Sequence, residues 1–324
     1  MRGEVLPDID MEVTADDGTL LAGTLTLPAV PGPHPVPAVL LLHGSGPLDR
    51  DGNTPKIPMR LGPPLAGALA ARGIATFRYD RRGVGAAPGD WRENGFTDNR
   101  RDAAAALRAL AAHPAVRAGA VGVVGHSEGA LHAMALGTRP DVRAVVLLAG
   151  YANLGEDALR WQARSHFQGL PAPARLLRRP LAALGERLLA RIKRTRTDVA
   201  RVAGLPVNAR WMREQLAHDT RDDLAAVQAP VLAVTGAKDV QVDPADLAEI
   251  ARLVPGGAET HRVPDLTHVL RRDPASRPTV RSYRRLLREP VDPGLLALVT
   301  GWLGARLDAA PAEETPAGKR TASS

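Results

Sequence analysis

At 324 residues, 44% of them hydrophobic, the chain is long enough for one large α/β domain or a core domain with an insertion, and too apolar for wholesale disorder. It contains no cysteine, which excludes disulfides, thiolate metal sites and a cysteine nucleophile together. The net charge of +7 suggests nucleic acid as a partner, but arginine is spread through the helices and aromatic residues make up only 3%, too few for base-stacking platforms, so nucleic-acid binding is not expected.

The N-terminus has no apolar leader segment, and no run reaches the roughly 18 apolar residues of a membrane-spanning helix. No membrane span and a cytoplasmic location are therefore expected. Met11–Thr14 and Leu20–Leu27 flank the turn signal Asp16-Asp17-Gly18 and predict a hairpin. A proline-rich connector, residues 28–37, leads to Ala38-Val39-Leu40-Leu41-Leu42, a continuous apolar run expected of a strand buried on both faces. That strand ends in His43-Gly44-Ser45-Gly46-Pro47. A helix over about 63–72 and a strand over 74–79 follow, then Asp80-Arg81-Arg82-Gly83-Val84-Gly85, an alanine-rich helix over 98–112 and a strand over 119–125. After a further helix comes the buried strand 144–149. Alternating buried strands and helices predict a mostly parallel sheet with right-handed crossovers and helices on both faces.

The alternation lapses between about 151 and 223, where helical spacing takes over and a helical cap insertion over the strands' carboxyl ends is expected. Leu181, Leu184, Leu188 and Ile192 fall at spacings of three and four and predict one apolar face, with Arg187, Arg191 and Arg194 on solvated ones. The sheet resumes at 230–236, followed by a helix over 244–253, a short strand over 259–263 and a closing helix over 295–307. The core is thus expected to comprise residues 1–150 and 224–308, the cap 151–223, and a disordered polar tail 309–324. The basic stretch 271–289 reads as an exposed loop and helix.

Within this order one stretch carries chemistry. Val121-Gly122-Val123-Val124 runs directly into Gly125-His126-Ser127-Glu128-Gly129 and then a helix-forming run, which is strand, sharp turn, helix. Such a turn thrusts its central side chain above the sheet, and the flanking glycines let strand and helix approach. A serine hydroxyl there needs a base to take its proton and a group to orient the base. His268, on the loop after the last strand, is the base that fits; His113, His132, His166 and His218 fall in helices, His261 in a strand and His34 in the connector, while His126 is locked beside the nucleophile. None has a partner at metal-ligand spacing, so no metal and no cofactor are expected. Asp239, three residues past the strand ending at Gly236, is the first choice of orienting acid. Asp243 is a rival that reads as a helix cap before Pro244, and Asp265 lies close to the histidine. The oxyanion of acyl transfer needs preorganised donors, expected from the backbone N–H of Glu128, at a helix start, and of Ser45, with Gly46 next.

With these parts in view the chain resembles the α/β-hydrolase superfamily, in particular bacterial serine carboxylesterases with a cap and an extended loop on the oxyanion side. The resemblance is carried by the stretches 43–53, 79–85, 125–129, 236–242 and 267–270, and spans about residues 11–307. It implies an α/β-hydrolase fold and acyl-enzyme hydrolysis of small-molecule acyl esters by Ser127, His268 and Asp239. A thioesterase, acyltransferase or aminopeptidase on the same residues is the nearest alternative. An aminopeptidase needs a carboxylate in the cap for the substrate's ammonium, for which Glu156, Asp157, Glu186, Asp198 and Glu214 are available. A non-catalytic ligand-binding protein on a retained fold is the reading from another class, and it has no need of all three residues.

Overall fold

The structure, a computed structural model, describes residues 8–28, 35–168, 178–202, 204–275 and 279–307. Most of the proline-rich connector and the expected tail lie outside the described residues. Strands β1 (Asp8–Thr14) and β2 (Leu20–Thr26) form the expected antiparallel hairpin, turning through Gly18 at φ +86°, a left-handed conformation that glycine adopts without a Cβ clash. β2 lies antiparallel to β4 (Ala75–Tyr79). From there the sheet is parallel through β3 (Val36–Leu42), β5 (Val116–His126), β6 (Ala144–Leu148), β9 (Val231–Gly236) and β10 (Ala258–Val263). The spatial order of the eight strands is β1-β2-β4-β3-β5-β6-β9-β10.

Two cores sandwich this sheet, and the period of two along each strand divides its residues between them. Ala38, Leu40 and Leu42 of β3 face helices α2 (Phe96–Ala111), α3 (Glu128–Leu136) and α8 (Asp246–Leu253), where Leu107, Leu131 and Ile250 are buried. Val39 and Leu41 face α1 (Gly62–Ala70) and α10 (Pro293–Leu307), against Leu65, Leu69, Val299 and Leu303. With both faces covered, every β3 residue beyond Val36 is buried, which explains why the strand reads as an unbroken apolar run. Each fully buried leucine contributes roughly 2 kcal/mol.

Between β6 and β9 the chain leaves the sheet. It runs through α4 (Gly155–Gln168), α5 (Arg178–Lys193), the hairpin β7 (Val199–Val202) and β8 (Leu205–Asn208), then α6 (Ala209–Ala217) and α7 (Thr220–Ala226). Its two ends are pinned together: Leu154 bridges Asp219, and the N–H of Gly155 donates to the His218 carbonyl at 2.9 Å. Two expectations need correction here. The excursion is not purely helical, since β7 and β8 pair antiparallel. Nor is the Leu181–Ile192 stripe a single buried face: Leu181 and Leu184 are exposed, and α5 instead buries Leu189 and Ile192. Further on, Arg271 is buried rather than exposed, donating to the carbonyls of Val269 and Glu289, and the described part of the basic stretch ends in a short helix α9 (Tyr283–Leu286). Among the described residues, no helix is long and apolar enough to cross a membrane.

Candidate active site

At the carboxyl end of β5 the backbone turns abruptly. Ser127 has φ 56° and ψ −121°, a conformation costly for a residue with a Cβ, and α3 starts at the next residue. The two motif glycines make this turn possible. A Cβ on Gly125 would lie 2.1 Å from the Gly129 carbonyl oxygen, and one on Gly129 would lie 2.2 Å from that of Leu42. The Ser127 N–H donates to the Leu148 carbonyl at 2.9 Å, which ties the turn to the neighbouring strand β6.

Three expected residues meet above this turn. Nε2 of His268 stands 3.1 Å from Oγ of Ser127, and Nδ1 stands 2.8 Å from Oδ2 of Asp239. A carboxylate only accepts, so Nδ1 carries the proton of the neutral ring and Nε2 is left as an acceptor for the serine hydroxyl. Oδ1 of Asp239 accepts the N–H groups of Gln241 (2.7 Å) and Val242 (3.0 Å), which fixes the carboxylate from behind. The two rival acids are engaged elsewhere. Asp265 pairs with Lys238 at 2.6 Å. Asp243 accepts from the Ala245 N–H in a turn just before α8; it does not cap the helix directly, because α8 begins at Asp246.

His126 supports the imidazole from below. Burial pushes its pKa down to about 3, so it is neutral, and its Nε2 donates to the backbone carbonyl of His268 at 2.9 Å. The loop after β3 passes against the serine on the other side, since a Cβ on Gly44 would come within 3.2 Å of the Ser127 Cβ. Ser45 therefore borders the serine, and Glu128 opens α3, whose first N–H groups have no acceptor within the helix. Two arginines anchor this loop: Arg50 reaches Asp80 at 2.8 Å and Arg78 reaches Asp51 at 2.8 Å.

The serine opens into a chamber of about 120 Å³ under α4 and α6. Leu131, Tyr151, Leu159, Met212 and Val242 supply apolar wall, and Gln162, Gln215 and Gln241 supply amides, two of which are already tied to Gln241 and Tyr151. Among the described residues Glu128 is the one carboxylate lining it, and the sequence alone points only to its backbone. Its side chain is buried, and both oxygens accept: one from Arg81, Asn99 and His132, the other from the Trp211 indole N–H. Burial alone would raise its pKa, but the Arg81 charge and these donors bring it down to about 2. Only the His132 contact is local, four residues on; Arg81 and Trp211 lie 47 and 83 residues away along the chain.

Residues 60–275, more than half of the chain, match the family described as serine aminopeptidase, S33. The chain belongs to that family. Among solved structures it resembles the esterase Est1E from Butyrivibrio proteoclasticus with ferulic acid bound, at 19% identity and a TM-score of 0.61, covering 91% of this chain and 96% of that one. It also resembles an esterase from Pyrococcus furiosus, at 16% identity and a TM-score of 0.58, covering 93% and 92% of the two chains. A 2,6-dihydroxy-pseudo-oxynicotine hydrolase gives 19% identity and a TM-score of 0.58, covering 93% of this chain and 68% of that one. At such identities the likeness is one of fold, the α/β-hydrolase fold. No match to the sequence is found among curated proteins.

Proposed function

We propose that the protein is a serine hydrolase that cleaves carboxylic esters of short acids through an acyl-enzyme. The observation that carries this reading is the unbroken hydrogen-bonded line Asp239–His268–Ser127 beside a small chamber with mainly apolar walls. His268 takes the Ser127 proton as Oγ attacks the ester carbonyl, and Asp239 holds the imidazole in the tautomer this requires. The tetrahedral oxyanion sits on the N–H groups of Ser45 and Glu128. Collapse expels the alcohol with the proton from His268; water, deprotonated by the same ring, then releases the acid. A chamber of about 120 Å³ is close to the size of cavity that holds one benzene, which suits acetyl to butyryl groups better than long chains. Residues 151–223, whose helices α4 and α6 form the roof, act as the cap.

The family description raises peptide bonds at free amino termini as a second reading. The arrangement of carboxylates speaks against it. Glu156 is paired with Arg160 and Lys193, Glu186 with Arg160, and Glu214 with Arg210. Asp157 and Asp198 are absent from the chamber lining, and Glu128 is already neutralised by Arg81, with both of its oxygens accepting hydrogen bonds. The deciding experiment measures p-nitrophenyl esters from acetate to a long chain, and aminoacyl p-nitroanilides, with the wild type and Ser127→Ala. Ester turnover lost in Ser127→Ala supports the proposal. Turnover confined to the anilides would sink it, as would equal ester rates for both proteins. Labelling of Ser127 by a fluorophosphonate then separates an active nucleophile awaiting another substrate from a binding protein.

A further inference from the structure

Arg81 makes two contacts that belong to different parts of the site. Its Nη1 donates to Oε1 of Glu128 at 3.1 Å, and its Nη2 donates to the carbonyl of His43 at 3.0 Å. The His43–Gly44 peptide is one residue before Ser45, and Glu128 directly follows Ser127. One planar guanidinium thus spans the two backbone segments that carry the proposed oxyanion donors, and its fork fixes their separation in a way a point charge does not. The carboxylate it holds is buried and receives three further hydrogen bonds, from Asn99 (3.1 Å), His132 (3.1 Å) and the Trp211 indole (2.9 Å). Asn99 is itself held by Asn94 at 2.5 Å, and His132 packs on Phe96 with ring centroids 4.7 Å apart. The Trp211 bond brings α6, in the roof, into the same cluster.

The placement has an electrostatic side. A carboxylate next to an oxyanion hole opposes the charge that develops there, so Glu128 is tolerable beside the nucleophile only when neutralised. Arg81 supplies that neutralising charge, and no other cation donates to either Glu128 oxygen among the described residues, His132 being buried and pushed toward its neutral form. The pair therefore leaves no net charge beside the hole while holding the donors in place.

Resting on the ester-hydrolase reading, we propose that Arg81 and Glu128 are positioning residues: their ion pair sets the spacing of the Ser45 and Glu128 N–H groups, and through Trp211 it locks the roof helix α6 to that spacing. Neither side chain touches the reacting atoms. The pair acts on the transition state and leaves ground-state binding nearly unchanged.

The test uses the full chain, with kcat expressed per Ser127 titrated by a fluorophosphonate, so that loss of folded protein does not count as loss of rate. Arg81→Met is expected to lower kcat on p-nitrophenyl acetate by about 100-fold, the effect of misplacing one oxyanion donor, with KM within about threefold. Inhibition by an alkyl boronic acid, whose tetrahedral adduct occupies the same hole, weakens in parallel. Arg81→Lys keeps the charge and loses the fork, and should still lower kcat about tenfold, which keeps the test open if the methionine variant does not fold. The double variant Arg81→Met/Glu128→Gln separates positioning from charge balance. It remains as slow as Arg81→Met if spacing matters, and a recovery to wild-type kcat overturns the proposal. Wild-type kcat in Arg81→Lys, or boronate affinity unchanged in every variant, overturns it as well. Activity that persists in Ser127→Ala would instead overturn the ester-hydrolase reading on which it rests.

Discussion

Oδ2 of Asp239 stands 2.8 Å from Nδ1 of His268, and the aspartate side chain has no exposed surface. Its second oxygen is occupied by two backbone N–H groups, so the carboxylate cannot rotate to another acceptor role. Asp239→Asn keeps the shape but presents a group that can donate to Nδ1, which favours the wrong tautomer. The expected result is a fall in kcat on p-nitrophenyl esters of about 1,000- to 10,000-fold, with KM and melting temperature little changed. Steady-state kinetics with calorimetry on the same preparation checks it.

Asp80 clamps the loop after β3 from the neighbouring strand end. It accepts the Arg50 and Ala86 N–H groups at 2.7 and 2.9 Å and the Arg50 guanidinium at 2.8 Å. Asp80→Ala leaves both N–H groups without their acceptor and the half-buried Arg50 guanidinium with Thr24 as its one remaining hydrogen-bond acceptor among the described residues, at a cost of about 3 kcal/mol. Urea unfolding should show this loss. The kcat of the folded enzyme should fall too, because the freed loop carries Ser45.

A pH dependence follows from Asp246, at the start of α8. Burial raises its pKa from 3.8 to about 6; a hydrogen bond from the Ala152 backbone opposes the rise and the nearby Asp243 charge adds to it. The folded state thus holds this proton more tightly than the unfolded chain, so the residue contributes fully below pH 4 and loses stability as pH climbs through 6. Asp246→Asn keeps an oxygen for the Asn153 amide, which donates to it at 2.7 Å. The variant should match the wild type at pH 4 and exceed it by about 1 kcal/mol at pH 7.5. Melting temperatures across that range decide it, and an equal difference at both ends contradicts the assignment.

Gly129 has no room for a methyl group, since its Cβ would meet the backbone of Leu42 and His43, at 2.2 and 2.8 Å from their carbonyl oxygens. Gly129→Ala must push α3 away from β3, with an expected loss of about 3 kcal/mol. Gly67→Ala, where nothing lies within 4 Å of the added Cβ, should be neutral or stabilising. Parallel denaturation of the two variants separates the close approach from helix propensity.

The strand ends were readable because strands buried on both faces leave continuous apolar runs, and a residue's distance past such a run places it at one edge of the sheet. That reasoning brought Ser127, Asp239 and His268 to the same edge. It failed where burial is partial. α5 buries only Leu189 and Ile192, so Leu181 and Leu184, which would face inward in a full core, lie exposed here. The β7–β8 hairpin is four residues a side and half-exposed, too short for an alternation to stand out; Gly204, at φ +81°, was its one local sign. Arg271 departs from the pattern: charge argues for solvent, whereas the carbonyls of Val269 and Glu289 accept from its guanidinium inside. Apart from His132, four residues on, the Glu128 cluster is assembled from segments far apart in the chain, where pattern carries no trace of it.

The backbone at Ser127 has a conformation that a glycine would adopt freely. A serine in this turn costs the folded state about 1 to 3 kcal/mol of strain, and nothing in the packing of β5 or α3 requires its hydroxyl. Ser127→Gly should therefore be the more stable protein and the inert one. Stability alone would select against the residue on which the proposed chemistry depends, so a screen for thermal tolerance run without an activity assay would tend to discard it.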